Sequence, residues 1–144
     1  MALVKKVRAA QDVMALEFVI NMTDTMSNTS GTVQGLNANG AFDFADPPPG
    51  FVLLGGSAVT ETALSGGGVT AATLALGDAT SAARYAAAAT VLAAGATVDA
   101  VPTGYISQGE SLRATLAFTG GSPTAGNIRV RLMYTRDGRA NEVL

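Results

Sequence analysis

Two segments near the C-terminus alternate apolar and polar residues with a period of two, and this alternation constrains the fold most strongly. The segments are residues 111–118 (SLRATLAF) and residues 127–134 (NIRVRLMY). The residues that share one face are Leu112, Ala114, Leu116 and Phe118 in the first and Ile128, Val130, Leu132 and Tyr134 in the second. Because successive side chains of a strand point to opposite faces, both segments are predicted to be half-buried β-strands. The residues between them, rich in Gly, Ser and Pro, predict a loop.

Further strands are predicted upstream. Residues 13–22 place Met14, Leu16, Phe18 and Ile20 on one face, and residues 51–64 and 69–76 are also strand candidates. Residues 23–40 read as a long loop or a weak edge hairpin, and the prolines of residues 46–50 predict a stiff corner. Many short strands separated by Gly and Pro turns are typical of a β-sandwich. We therefore expect a mainly β fold: one antiparallel, jelly-roll-like sandwich over residues 13–136, with an arm at 1–12 and a tail at 137–144.

Residues 77–94 allow two interpretations. A short helical turn is predicted near residues 79–85, with Asp78 or Thr80 as its N-cap. The alanine-rich residues 83–94 could continue as a helix that ends at Gly95, because alanine is the strongest helix former and glycine a common C-terminal stop. The alternative is a short helical turn followed by extended chain, which the Thr-Val-Leu run at residues 90–92 favours.

The composition excludes several kinds of chemistry. The chain of 144 residues has no cysteine and no histidine, so it has no disulfide, no Ser-His-Asp triad and no usual zinc site. Asp43 and Asp46 lack the dense spacing of a calcium loop. Nothing in the sequence pairs Glu17, Glu61 or Glu110 as a glycosidase would require. We expect a protein that is not an enzyme and uses no metal and no cofactor.

The charge balance bears on possible partners. A net charge of −2 with a pI of about 4.9 does not suit a domain held on nucleic acid by phosphate neutralisation. No apolar run approaches the roughly 20 residues of a membrane span. Acidic residues interrupt the segment that follows the basic N-terminus, so a secretion signal is not expected. Neither nucleic acid nor a membrane is therefore predicted as a partner.

Two groups of basic residues are candidate docking sites. Arg113, Arg129 and Arg131 fall on the polar faces of the two C-terminal strand candidates, and on adjacent strands they would form a small basic patch. The other interpretation is an ordinary solvated face with cross-strand ion pairs. Lys5, Lys6 and Arg8 form either a docking arm or a frayed tail, because termini are poorly ordered unless they are tied down.

The core that this composition allows is thin. Much of the hydrophobic 48% is alanine, there is no Trp, and aromatic residues make up 6% of the chain. Charged residues amount to 14%, below the roughly 25% usual in soluble domains. A partner that binds only the folded form would add stability. Assembly with other proteins is therefore expected.

Residues 69–134 resemble small virion proteins of tailed bacteriophages. The shared features are a strand that ends at Gly77 and Asp78, a short turn that closes on Arg84 and Tyr85, and an Ala/Gly-rich stretch. A Gly-Tyr loop and two strands joined by a Pro-Thr-Ala-Gly turn follow. Proteins that look like this occur among capsid decoration (cement) proteins and related head or tail accessory proteins.

The resemblance implies a function that is mechanical. A homotrimer would bind the major capsid protein on the outer surface of the capsid, bridge neighbouring subunits through buried area and strand or arm augmentation, and be made in the host cytoplasm. A tail or baseplate β-module is the alternative. A carbohydrate-binding adhesion domain fits less well, because the chain has no Trp and three Tyr.

Overall fold

The computed structural model describes residues 13–137, and these residues form ten strands and no helix. The strands are β1 (Met14–Asn21), β2 (Thr25–Ser27), β3 (Val33–Gly35), β4 (Gly40–Ala45), β5 (Phe51–Ser65), β6 (Ala71–Asp78), β7 (Ala86–Thr90), β8 (Thr97–Asp99), β9 (Leu112–Thr119) and β10 (Ala125–Arg136). The long strands come where the period-two alternation places them. The arm at residues 1–12 and most of the tail, residues 138–144, lie outside the described residues.

Eight of the strands form two four-stranded sheets, and every pairing is antiparallel. The first sheet has the order β1-β10-β5-β8 and the second has the order β4-β9-β6-β7, while β2 and β3 form a separate hairpin. Apolar side chains from both sheets share one buried cluster. The predicted single antiparallel β-sandwich is confirmed.

The chain passes from one sheet to the other at nearly every connection. Among the eight sandwich strands, only β6 and β7 follow each other within one sheet, and all other links cross between the sheets. A double sheet wrapped in this way places strands that are distant in sequence side by side. This strand order is compatible with the jelly-roll-like sandwich that the sequence led us to expect.

The inward-facing residues explain why the two sheets pack together. In the first sheet Ile128, Val130 and Leu132 alternate with exposed or half-buried neighbours, and in the second Leu112, Ala114 and Leu116 do the same. These six side chains are at most 1% exposed. Their alternation is the pattern of a sheet with one buried and one solvated face. Aromatic residues also pack in the core, where the Phe51 ring lies 4.8 Å from that of Tyr134.

The helical interpretations of residues 77–94 are corrected by the structure. Residues 79–85 form a turn without a helix, in which the Arg84 N–H donates to the Ser81 carbonyl at 3.2 Å. Residues 86–90 are strand β7, so the helix that ends at Gly95 does not form. Pairing with β6 satisfies the β7 backbone and buries Ala86 against the core, which outweighs the intrinsic helix preference of alanine. Gly95 lies in a turn at residues 93–95 and adopts a φ of +83°, so it ends an extended segment and not a helix.

Other boundaries differ in smaller ways. Residues 23–40 contain the β2–β3 hairpin that the sequence allowed. Residues 51–64 are one continuous strand, with a register shift against β10 beside the two glycines. Strand β4 was not predicted, although its Phe42 is 2% exposed and belongs to the core.

Candidate docking surfaces

The outer face of the first sheet carries a cluster of four charged side chains. Glu17 on β1 lies opposite Arg131 on β10, and Arg131 Nε donates to Glu17 Oε2 at 3.0 Å. Arg129, two residues away on β10, donates to both Glu17 and Glu61. Asn127 Nδ2 adds a bond of 3.1 Å to Glu61. Two carboxylates and two guanidinium groups meet here, so the cluster carries no net charge.

The ion pairs in this cluster change its acidities. Hydrogen bonds from Arg131 and Arg129 hold the pKa of Glu17 below its usual value, and the bond from Arg129 does the same for the pKa of Glu61. The two carboxylates raise the pKa of Arg129 in turn. Glu17, Glu61 and Arg129 are therefore charged near neutral pH. Arg131 has the most exposed side chain, at 66%.

Arg113 lies apart from this cluster. It is on β9 in the second sheet, where Asp43 of β4 is its register partner. Its guanidinium donates two hydrogen bonds to that carboxylate, from Nε to Oδ1 at 2.8 Å and from Nη2 to Oδ2 at 3.3 Å. The expectation that Arg113, Arg129 and Arg131 form one basic patch on adjacent strands is wrong, because β9 and β10 belong to different sheets whose outer faces point apart. Their role in docking stays a prediction, and Lys5, Lys6 and Arg8 lie outside the described residues.

A second polar network joins the turn after β6 to the loop that precedes β9. Asp78, 2% exposed, accepts from Arg84 Nε at 2.5 Å, Thr80 Oγ1 and Ser81 N at 2.8 Å, and Thr80 N at 3.0 Å. Burial disfavours ionisation of Asp78, but the bonds from Arg84, Thr80 and Ser81 outweigh it and lower the pKa. An aspartate was predicted to cap a helix at this place. It organises a turn instead.

Arg84 links this turn to the loop through an aromatic contact. Its guanidinium carbon lies 3.6 Å from the centre of the Tyr105 ring, a cation–π geometry. The Tyr105 hydroxyl donates to Glu110 Oε1 at 2.5 Å, and Ser107 Oγ and the Gln108 N–H each donate to Glu110 Oε2 at 2.8 Å. The bond from Tyr105, with those from the loop, lowers the pKa of Glu110 to about 2. The 100–111 loop is thereby tied to the turn after β6.

Tyr85, next to Arg84, is a buried polar group of another kind. It is 3% exposed, and its hydroxyl has no hydrogen-bond partner among the described residues. Burial raises its pKa to about 12, so the phenol stays neutral. Its ring lies edge-on to Phe51 at 6.1 Å, which gives Tyr85 a place in the core.

The structure also contains two apolar recesses. A groove of about 370 Å³ lies on the outer face of the first sheet, with Ala15, Gly56 and Met133 among its lining residues. A smaller cavity of about 50 Å³ lies between the sheets, near β1, β4 and the β2–β3 hairpin. At Gly56, which lines this groove, β5 approaches β10 so closely that a Cβ would lie 2.2 Å from the Arg131 carbonyl oxygen.

The carboxylates considered for metal binding or catalysis have other partners. Asp43 binds Arg113, and Asp46 Oδ1 accepts from Ser111 Oγ at 2.6 Å. Glu17 and Glu61 do come together, which the sequence did not indicate, but Arg129 lies between them and, together with Arg131, balances their charge. Within residues 13–137, no three metal-ligating side chains are grouped so that they could hold an ion. That part of the chain also has no helix that could cross a membrane.

Comparison with known proteins gives structural matches only. No protein-family model matches this sequence, and no curated protein sequence does. Solved phage capsid structures contain chains of similar fold. One from the cyanophage Pam1 capsid asymmetric unit has a TM-score of 0.61 and 20% identity, over 94% of this chain and 93% of that chain.

Two further structures agree with this match. A chain in the acidic stable capsid structure of Helicobacter pylori bacteriophage KHP30 gives a TM-score of 0.55 and 13% identity, over 91% of each chain. A chain in the capsid of Ralstonia phage GP4 gives 0.53 and 20%, over 94% of this chain and 91% of that chain. At these identities the likeness shows a shared fold. It extends over nearly the whole chain, beyond the residues 69–134 that carried the sequence resemblance.

Proposed function

We propose that this chain is a structural virion protein of a bacteriophage, which binds the outer surface of the capsid and stabilises it by bridging neighbouring major capsid subunits. The observation that carries the proposal is the near full-length likeness to chains in three phage capsid structures. The sequence resemblance to decoration proteins agrees with it. Work of this kind depends on buried surface and needs no reaction chemistry.

The surface of the described residues is consistent with such a role. The charged side chains on both outer faces are largely paired within the chain, Glu17 and Glu61 with Arg129 and Asp43 with Arg113. Among residues 13–137, seven large hydrophobic residues are exposed, including Leu54 and Met133 at 42% and 48%. Apolar area of this kind contributes to association when a partner covers it. We further propose a homotrimer, located on the virion surface after synthesis in the host cytoplasm.

The direct test is binding to capsids that were assembled without this chain. The purified full-length protein is added in increasing amounts, and bound and free protein are separated by sedimentation. We expect saturation at a stoichiometry set by icosahedral symmetry and a higher temperature for release of the packaged DNA. Absence of capsid binding, with assembly into rings or tubes, would contradict the proposal and favour the tail alternative. Mass measurement of the free protein tests the trimer.

The predicted docking arginines can be tested in the same assay. Because Arg113 and Arg131 lie on opposite outer faces, a partner that covers one face cannot contact both. Arg131→Gln and Arg113→Gln therefore form a matched pair. Weaker capsid binding by one variant alone would identify the docking sheet. Unchanged binding by both would remove the arginines from the docking surface and leave the capsid-binding proposal intact.

A further inference from the structure

Strand β1 forms an open edge of the first sheet. It pairs with β10 on one side, and no strand formed by residues 13–137 lies on its other side. Its eight residues pair with β10 in unbroken register from Met14 opposite Tyr134 to Asn21 opposite Asn127. The edge is therefore long and regular, which is the geometry that accepts an additional strand.

The register shows which backbone groups the edge offers. The Met22 N–H donates to the Gly126 carbonyl at 3.1 Å, and continuing this pairing along β1 assigns the even-numbered residues to the ladder with β10. The odd-numbered residues Ala15, Glu17 and Val19 then direct their N–H and C=O groups away from the sheet. These six groups have no hydrogen-bond partner within residues 13–137. The open stretch ends at Asn21, whose carbonyl accepts from the Asp24 N–H.

An apolar cavity adjoins this open edge. It measures about 50 Å³, and Phe18, Val19 and Ile20 of β1 line one side of it. Phe42 and Phe44 of β4 line another side, and the Phe18 and Phe44 rings stack there at 3.9 Å between centroids. A strand added beside β1 would direct every second side chain toward this region. The cavity is large enough to take part of one aliphatic side chain.

The other sheet edges carry features that discourage pairing, whereas β1 does not. Strand β7 has a register shift, and β8 has three residues. Strand β4 also has a register shift, and its Ala41 carbonyl already accepts from the Thr29 N–H. Bulges, short length and covering loops protect edges in natural sheets, as do lysine and proline. In the described part of the chain, β1 has none of these, and its one charge, Glu17, is neutralised by two arginines.

We propose that the β1 edge binds an extended segment of the neighbouring protein in the virion, which adds a strand to the first sheet and places an aliphatic side chain in the cavity. This inference rests on the proposed capsid role. A second copy of β1 is a poorer occupant. An antiparallel pairing of two β1 strands that covers residues 15–19 of both copies would place the two Glu17 side chains opposite each other. The apolar side chains of that copy also already pack against its own core. The occupant is therefore a strand from outside this fold.

Amide hydrogen exchange of the full chain, free and bound to capsids assembled without it, tests the proposal. In the free protein the amides of Ala15, Glu17 and Val19 should exchange rapidly, while those of Leu16 and Phe18 are protected by β10. On capsids the three open amides should slow by about tenfold or more, because each gains a backbone acceptor. The chain is released after exchange, and its amides are read by NMR.

A pair of proline variants provides the matched control. Val19→Pro removes an outward N–H and leaves the β1–β10 ladder intact, so we expect capsid affinity to fall about tenfold. Thr90 occupies the same kind of position on β7, because the next residue, Val91, donates to Ala72 in the ladder with β6. Thr90→Pro should bind as the wild type does. Thermal unfolding of both variants verifies that they fold.

Each remaining outcome counts against the proposal in a distinguishable way. Capsid binding with the three amides still rapid, or normal binding by Val19→Pro, overturns strand addition and leaves the capsid role in place. Failure to bind capsids overturns both. Slow amides in the free chain would mean that the edge is already covered. Dependence of that protection on protein concentration would then identify a second copy, and independence would identify residues of the same chain.

Discussion

Replacing Asp78 with alanine removes the acceptor on which the turn after β6 depends. The carboxylate receives four hydrogen bonds, of which those from Arg84 Nε and the Ser81 N–H involve partly buried donors. A charge-assisted bond contributes about 1.5–3 kcal/mol, and a backbone N–H bond about 0.5–1.5 kcal/mol. Thr80 is exposed, so water replaces its two bonds at small cost. Because alanine also removes the burial cost of a carboxylate, we expect a net loss of about 2–3 kcal/mol.

Urea unfolding at pH 7, followed by circular dichroism, measures this loss as a lower midpoint at unchanged slope. Asp99→Ala is the control, since Asp99 is an exposed aspartate on β8 and should lose no more than about 0.5 kcal/mol. Asp78→Asn keeps an oxygen that can accept from Ser81 and removes the charge that holds Arg84. It should therefore lose less than Asp78→Ala. A loss below about 0.5 kcal/mol for Asp78→Ala would refute the reasoning, because water would then serve the turn as well as the carboxylate does.

Acid, a misplaced methyl group and a core truncation should each destabilise the protein measurably. Since folding lowers the pKa of Glu110 from 4.5 to about 2, its stabilisation is complete above pH 4.5 and is lost as the pH falls to 2. Urea midpoints should fall over this range, and Glu110→Gln should reduce that dependence. Gly56→Ala, whose new methyl meets the Arg131 carbonyl, should cost about 3 kcal/mol or more, against about 1 for Gly95→Ala in open space. Equal losses of stability in Gly56→Ala and Gly95→Ala would contradict the expected clash with the Arg131 carbonyl. Leu74→Ala, fully buried, should cost about 2–5 kcal/mol in thermal unfolding, and under 1 would mean that the core collapses around the gap.

Alternation in the sequence predicted the strands whose two faces differ most. Strands β1, β9 and β10 each place apolar side chains inside and polar ones outside, so a period of two is visible without any knowledge of neighbours. Strand β4 was not predicted although Phe42, Asp43 and Phe44 alternate, because it has six residues and only two large apolar side chains. The alanine segment was ambiguous because its side chains indicate no buried face. Pairing with β6 decides its structure, and that information lies outside the segment.

The docking surface was harder to predict than the strands. Local alternation correctly placed Arg113, Arg129 and Arg131 on outer faces. It could not show which of the two sheets carries each arginine, because that depends on how the strands are assigned to sheets. In a wrapped topology, two strands that follow each other in sequence can lie in opposite sheets, as β9 and β10 do. A signal for the ion-pair cluster did exist. Glu17 and Arg131 are each flanked by inward apolar residues, so they are outward and of opposite charge, but only the pairing of β1 with β10 brings them together.

The same topology connects the neutral faces with the open edge. Pairing β1 with β10 places Glu17 beside two arginines, which removes the charge that would otherwise discourage a strand from adding to β1. This edge offers the outward N–H and C=O groups of three residues, beside an apolar cavity and without charge repulsion. Such an edge selects a partner by backbone geometry and side-chain size rather than by net charge. A partner bound in this way loses little affinity when salt screens surface charges, because hydrogen bonds and apolar contact supply the binding energy. The internal ion pairs of the first sheet thus make its edge suitable for neutral, shape-dependent docking.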